Sequence, residues 1–243
     1  MDFMPIFTYH RLTAPSGVNS RFDFSVDAFR SHLEILKASG LRCVVPEDLR
    51  ANGAQAVENS VMITFDDGYE TDYSAALGLL AGFGFRAVTF ITANLVNKPG
   101  YLSWEKIKEL SKAGFSVQSH SLNHRFLSAL DHSELLNELR KSKEIIEDKT
   151  GVKVDYLAAP GGRVSAAVVK ASAEAGYSGI FNSKPGYTLS QESGILVFNR
   201  FVLKNSIGAR RFRNIANKDP LALISESAAY SAKNLIRKAL GKK

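Results

Sequence analysis

Two carboxylates, Asp66 and Asp67, stand side by side where an apolar run over residues 61–65 gives way to Gly68. Four to six apolar or β-branched residues in a row read as a buried parallel strand. The C-terminal tips of such strands are where α/β folds place their chemistry. Two acids at one tip repel, so their protonation states separate unless a cation lies between them. Groups that could complete a cation site stand downstream, where a second apolar run over residues 115–118 leads into Ser119-His120-Ser121-Leu122-Asn123-His124. One carboxylate and two imidazoles form a common metal set that leaves positions open for water and substrate. Singly, each piece has a plainer reading: adjacent Asp residues cap helices, and His-x-x-x-His pairs occur on surface helices that bind nothing. Together, acids and imidazoles that end strands favour a site.

The elements that must position these groups follow in order. Residues 4–9 read as a first strand ending in Tyr9-His10, and Ser25 caps a helix over 26–39. Strand two covers 41–45, and Pro46 opens a short helix around 47–50. The acids end strand three, 61–65; a helix over 71–81 is broken by Gly82 and Gly84. Strand four spans 86–92, a Ser103-capped helix covers 104–113, and strand five delivers His120. An Asp131-capped helix runs over 133–149, then strand six, 154–159, enters Pro160-Gly161-Gly162. A helix over 165–175 and strands over 178–182 and 195–203 complete the set. Eight short strands alternating with helices require a parallel sheet, and their regular spacing favours a nearly closed barrel over a doubly wound sheet. The barrel is expected over residues 1–220. A basic amphipathic helix is expected over 221–243, with Leu221, Ile224, Ala228, Leu235 and Leu240 on one side, packed on the barrel or facing a membrane. His32 and His132 are both expected to face solvent.

Composition sets bounds. No apolar run approaches the roughly 20 residues of a membrane span, and no secretory signal is visible at the N-terminus, so a cytoplasmic location is expected, peripheral at the inner membrane face. Cys43 is the one cysteine, which excludes a disulfide framework or thiolate cluster and reads as a buried core thiol. The net charge of +7 is concentrated at the end: residues 201–243 hold ten Lys or Arg against Asp219 and Glu226. That asymmetry points to an anionic surface met through residues 204–243, either membrane lipid or, as a distant alternative, nucleic acid.

Thr64-Phe65-Asp66-Asp67-Gly68 and Ser119-His120-Ser121-Leu122-Asn123-His124 resemble the first two signature motifs of the polysaccharide deacetylase family. This is carbohydrate esterase family four, with its chitin, peptidoglycan and poly-N-acetylglucosamine deacetylases. The resemblance covers roughly residues 4–203 and includes Tyr9-His10, Ser103-Trp104-Glu105 and Pro160-Gly161-Gly162. It implies a distorted (β/α) barrel of seven to eight parallel strands. Asp67, His120 and His124 would hold one divalent metal, zinc before Co, Ni, Fe or Mn, and Asp66 would act as general base. Tyr9, Trp104, Pro160, Gly161 and Gly162 would meet substrate. The chain also departs from the family: Ala158 stands where the third motif has an arginine that orients the base, the fourth motif has no counterpart, and Phe198-Asn199-Arg200-Phe201 lacks the late histidine. A branch resembling the poly-N-acetylglucosamine deacetylases also opens with Tyr-His and uses that early histidine as the acid, which implies the role for His10.

The expected function is therefore a metal-dependent hydrolase that removes an N-acetyl or other small acyl group from an amino sugar, in a saccharide or a lipid-linked glycan. The alternatives are a catalytically weak glycan-binding relative, suggested by the absent arginine and histidine, and an amidohydrolase acting on a non-sugar amide.

Overall fold

The computed structural model describes residues 4–52 and 57–239, in which strands and helices alternate as the apolar spacing requires. Strands β1 (Ile6–Tyr9), β2 (Leu12–Thr13) and β3 (Phe24–Ser25) lead to helix α1 (Val26–Ala38), then β4 (Arg42–Cys43), α2 (Pro46–Asn52) and β5 (Ser60–Phe65). A π-helical turn, Asp72–Leu77, runs into α3 (Gly78–Phe83). Next come β6 (Val88–Ile91), α4 (Trp104–Lys112), β7 (Ser116–Ser119) and α5 (His132–Thr150). The chain continues through β8 (Tyr156–Ala158), α6 (Ala166–Glu174), β9 (Gly179–Phe181), β10 (Leu189–Glu192), β11 (Ile195–Phe198) and β12 (Phe201–Val202) to α7 (Ala209–Ala216) and α8 (Pro220–Ala239). The expected caps form: Ser25 Oγ accepts the Ala28 N–H, Ser103 Oγ accepts the Lys106 N–H, and Asp131 closes a capping box with Glu134.

β1 and β5 to β9 form a curled parallel sheet, with β12 beside β1 at one edge and β11 beside β9 at the other. Only Asn199 and Arg200 separate β11 from β12. The apolar run over 195–203 therefore serves both edges, bends at those two residues, and closes the distorted barrel. Because parallel strands are covered on both faces, alternate residues divide between two cores. Met62, Val88, Phe90, Tyr156 and Phe181 fill the interior. Ile63, Phe65, Val117 and Ile180 pack outward against helical residues such as Leu33, Leu110 and Leu139.

Several elements differ from expectation. The helix over 71–81 begins as a π turn, and β10 pairs antiparallel with β11 as an added hairpin arm. α7 occupies a stretch without an expected element; it buries Phe212, Ile215 and Ala216 while showing arginines to solvent. Cys43 is only half-buried: its thiol donates to the Arg86 carbonyl at 2.8 Å, and burial pushes it up to about 11. α8 is present, but its apolar stripe is turned away from the barrel: Leu221, Ile224 and Leu235 are 74%, 63% and 69% exposed, while Ala222 is buried and Leu223 packs on the core. Leu240 lies outside the described residues. Among them, no helix is long and apolar enough to cross a membrane.

His32 corrects a second expectation. It is buried, stacked on Phe212 with centroids 3.9 Å apart, and its Nδ1 accepts the Tyr9 hydroxyl at 2.8 Å. The helical spacing Phe29, His32, Leu33, Leu36 places it on the core side of α1. His132 does face solvent, 3.4 Å from Glu174. Burial pushes His32 down to about 4, whereas in the unfolded chain it binds a proton near pH 6.5. The unfolded state thus holds more protons between those values, and stability falls as pH drops through them. The contribution is complete above about pH 6.5 and declines by on the order of 3 kcal/mol as pH falls to about 4. Urea unfolding at about pH 7 and pH 4.5 measures it; His32→Gln is expected to flatten that part of the curve, and an unchanged curve would refute the assignment.

Candidate active site

Strand alternation delivers the site. On β5 and just past it, Met62, Thr64 and Asp66 share the face that looks into the barrel, as do Ser116, Gln118 and His120 along β7. Asp67 would then point outward, but its φ of +78° and the +74° of Gly68 turn the chain. Its carboxylate reaches His120 Nε2 at 3.4 Å and His124 Nε2 at 3.1 Å. His124 and Ser121 also have positive φ, +57° and +67°, a backbone region where Asn, Asp and His are enriched among non-glycine residues. The ligand atoms of Asp67, His120 and His124 all lie within 4.8 Å of one another.

The chemistry of this donor set fits a cation. His120 Nδ1 lies 2.9 Å from the Ala158 carbonyl. A carbonyl can only accept, so Nδ1 carries a proton and Nε2 is the ring atom turned toward Asp67. Asp67 Oδ1 is buried and has no aligned hydrogen-bond donor among the described residues. Asp67 Oδ1 and Nε2 at such a distance attract when a proton sits on Nε2 or a cation stands between them, and repel otherwise. Burial raises Asp67, but its contacts with His120 and His124 outweigh that and hold its carboxyl well below the usual carboxylate range. The Asp67 contact in turn raises His124 above the ordinary histidine value, against burial. Glu138 on α5 secures the histidine loop by accepting the N–H groups of Leu122 (3.1 Å) and Asn123 (2.9 Å) and the Asn123 side chain (2.8 Å). Such outer contacts fix how ligands are oriented.

Asp66 is held differently. Both its oxygens accept from Arg200, Oδ1 from Nη1 at 2.8 Å and Oδ2 from Nη2 at 3.0 Å. Arg200 is fully buried, donates Nε to the Asn182 carbonyl at 2.9 Å, and sets its guanidinium near the rings of both Phe90 and Phe181. Burial alone would push the Asp66 carboxyl up; the guanidinium outweighs it and holds the acid below its usual range. The fork fixes both the charge and the orientation of this carboxylate.

Above the two acids opens a groove of about 1090 Å³. His10, directly after β1, lines it; its ring stacks on Phe22 at 4.9 Å, and its buried Nδ1 has no partner among the described residues. Burial lowers His10 below the ordinary histidine value, with Asp66 and Asp67 pulling the other way. Gly161 and Gly162 reach the groove, and a side chain at Gly162 would place its Cβ 1.7 Å from Ser183 Oγ, so the tight turn requires glycine there. The Gly162 N–H is already given to the Ala159 carbonyl at 2.7 Å, which removes it as a donor to substrate. Three expected contact residues lie elsewhere. Pro160 is buried, Tyr9 is turned into the core where it serves His32, and Trp104 packs half-buried on the core outside the groove lining.

Arg200 and Glu138 lie outside the sequence motifs that mark the other site residues. Glu138 carries no local signature beyond an acid on the inner side of a helix. Arg200 does: a charge inside the apolar run over 195–203 is rarely buried without a partner.

Known proteins resemble this chain in sequence and in fold. The sequence profile described as polysaccharide deacetylase matches residues 53–180. YxkH of Bacillus subtilis (strain 168) is 25% identical over 200 residues, spanning 81% of this chain and 70% of that protein. The peptidoglycan-N-acetylglucosamine deacetylase of Bacillus cereus is 33% identical over 122 residues, 49% of this chain, and the aligned part spans about half of that relative's length (54%). Among solved structures, BC0361, a polysaccharide deacetylase from Bacillus cereus, superposes with a TM-score of 0.77 at 26% identity, covering 86% of this chain and 67% of that one.

Proposed function

Because the chain belongs to the polysaccharide deacetylase family, we propose that it is a metal-dependent hydrolase removing an N-acetyl or other small acyl group from an amino sugar in a saccharide or lipid-linked glycan. The observation that carries this reading is the Asp67, His120, His124 triad standing beside an Asp66 clamped by Arg200. When bound there, a divalent ion, zinc by the donor set, would supply a Lewis acid for the amide carbonyl and for water. Asp66, one residue from a ligand and ionised by its arginine, takes the proton of the attacking water. His10, which lines the same groove, gives a proton to the departing amine. Phe22 and the Gly161-Gly162 turn shape the space between. The reading of a glycan binder without turnover rests on the absent third-motif arginine and late histidine; Arg200 beside Asp66 and His10 in the groove offer those two roles from other parts of the chain.

The test is release of acetate or formate from N-acylated amino-sugar oligosaccharides by the purified chain. Dipicolinate is expected to abolish release and zinc to restore it. Elemental analysis is expected to find about one ion per chain, lost in His120→Ala and His124→Ala. Release that ignores the chelator, or no release from any amino-sugar substrate, would sink the proposal.

A further inference from the structure

An amphipathic helix normally turns its apolar stripe inward; α8 does the reverse. Leu221, Ile224, Ala228 and Leu235 recur at intervals of three, four and seven, so they share one side, and all four are exposed. The opposite side carries Glu226, Tyr230 and Lys233 into the groove. No acid interrupts the stripe: Glu226 faces the groove and is bonded to Arg211 of α7 at 2.7 Å. The surroundings are cationic, with Arg210 and Arg213 exposed on the adjoining α7 and Lys218 in the turn between the helices.

We propose that this face of α8 docks on an anionic lipid bilayer, lying in the headgroup plane with its leucine and isoleucine side chains in the acyl boundary. The stripe from Leu221 to Leu235 covers about 21 Å of helix, and an apolar side on a helix rich in basic residues is the pattern of an interfacial anchor. Charge selects the occupant. Residues 201–243 carry ten basic groups against two acids, so a second copy would bring two positive segments together, whereas an anionic surface neutralises them. The same helix walls the groove, which places the groove within about one helix diameter, 10–12 Å, of the membrane. The amino sugar would then arrive on a lipid carrier, a consequence that rests on the deacylase reading; the docking itself does not.

The experiment uses the full chain with sedimentable vesicles, either pure phosphatidylcholine or phosphatidylcholine mixed with phosphatidylglycerol. Binding is expected to the mixed vesicles, weakening as salt rises, with little to the neutral ones. Leu221→Ser/Ile224→Ser/Leu235→Ser alters only exposed side chains. It is expected to weaken binding by at least about tenfold while leaving circular dichroism and acetate release from a soluble oligosaccharide unchanged. Three results would overturn the proposal: wild type that stays in the supernatant, a triple variant that binds equally well, or a dimer in sedimentation velocity that the triple variant dissolves, which would make a second copy the occupant. Vesicle binding is read without turnover, so its failure leaves the deacylase reading standing, and the reverse also holds.

Discussion

Asp66→Asn is expected to lower kcat for deacylation by about 10²- to 10⁴-fold, the usual worth of a positioned base, while the zinc affinity stays close to that of the wild type. The amide keeps the shape of the carboxylate but cannot take a proton. Asp67, His120 and His124 are untouched, so the ion retains its holders. The same change strips Arg200 of its counterion inside the barrel, where it is fully buried. Removing one member of a buried pair costs about 3–5 kcal/mol, so the variant should also melt earlier. Steady-state kinetics with saturating zinc, alongside a calorimetric zinc titration, separate the effects. A kcat within about tenfold of wild type would remove Asp66 from the base role.

Arg200→Met should do comparable damage from the other side. It leaves the largely buried Asp66 carboxylate without its cation, with a predicted stability loss of about 3–5 kcal/mol and a fall in kcat because the base loses its fixed orientation. The informative variant is Asp66→Asn/Arg200→Met, in which neither charge remains. Guanidinium unfolding should show it more stable than the sum of the two single losses predicts, with a coupling of about 1–3 kcal/mol between contacting residues, yet just as inactive. Simple additivity of the two losses would mean that the fork seen at 2.8 and 3.0 Å does not link the residues energetically.

The parts of this molecule that could be read in the sequence are those specified by neighbours along the chain. Asp66, Asp67, His120 and His124 announce themselves because each pair lies within a few residues and ends an apolar run. The caps at Ser25, Ser103 and Asp131 are equally local. What escaped depends on distant partners or on choosing between faces. Arg200 meets Asp66 across 134 residues and the seam of the barrel. The α8 stripe follows the expected helical period, but a period does not say which side meets the barrel. Tyr9, beside His10 in the sequence, reads as a groove residue. Alternation along β1 sends consecutive side chains to opposite faces, and its partner His32 lies 23 residues away. The π turn over Asp72–Leu77 carries no residue signature that sets it apart from the α-helix expected there.

The late position of Arg200 also bears on how the protein is made. During synthesis at about 5–20 residues per second, Arg200 emerges roughly 7 to 27 s after Asp66. All three residues that would hold the ion are on the growing polypeptide well before then. A chain stalled on the ribosome short of this arginine would have its ion-holding residues in hand but an unneutralised acid where its catalyst should be, so activity should switch on only when the final strand slides home.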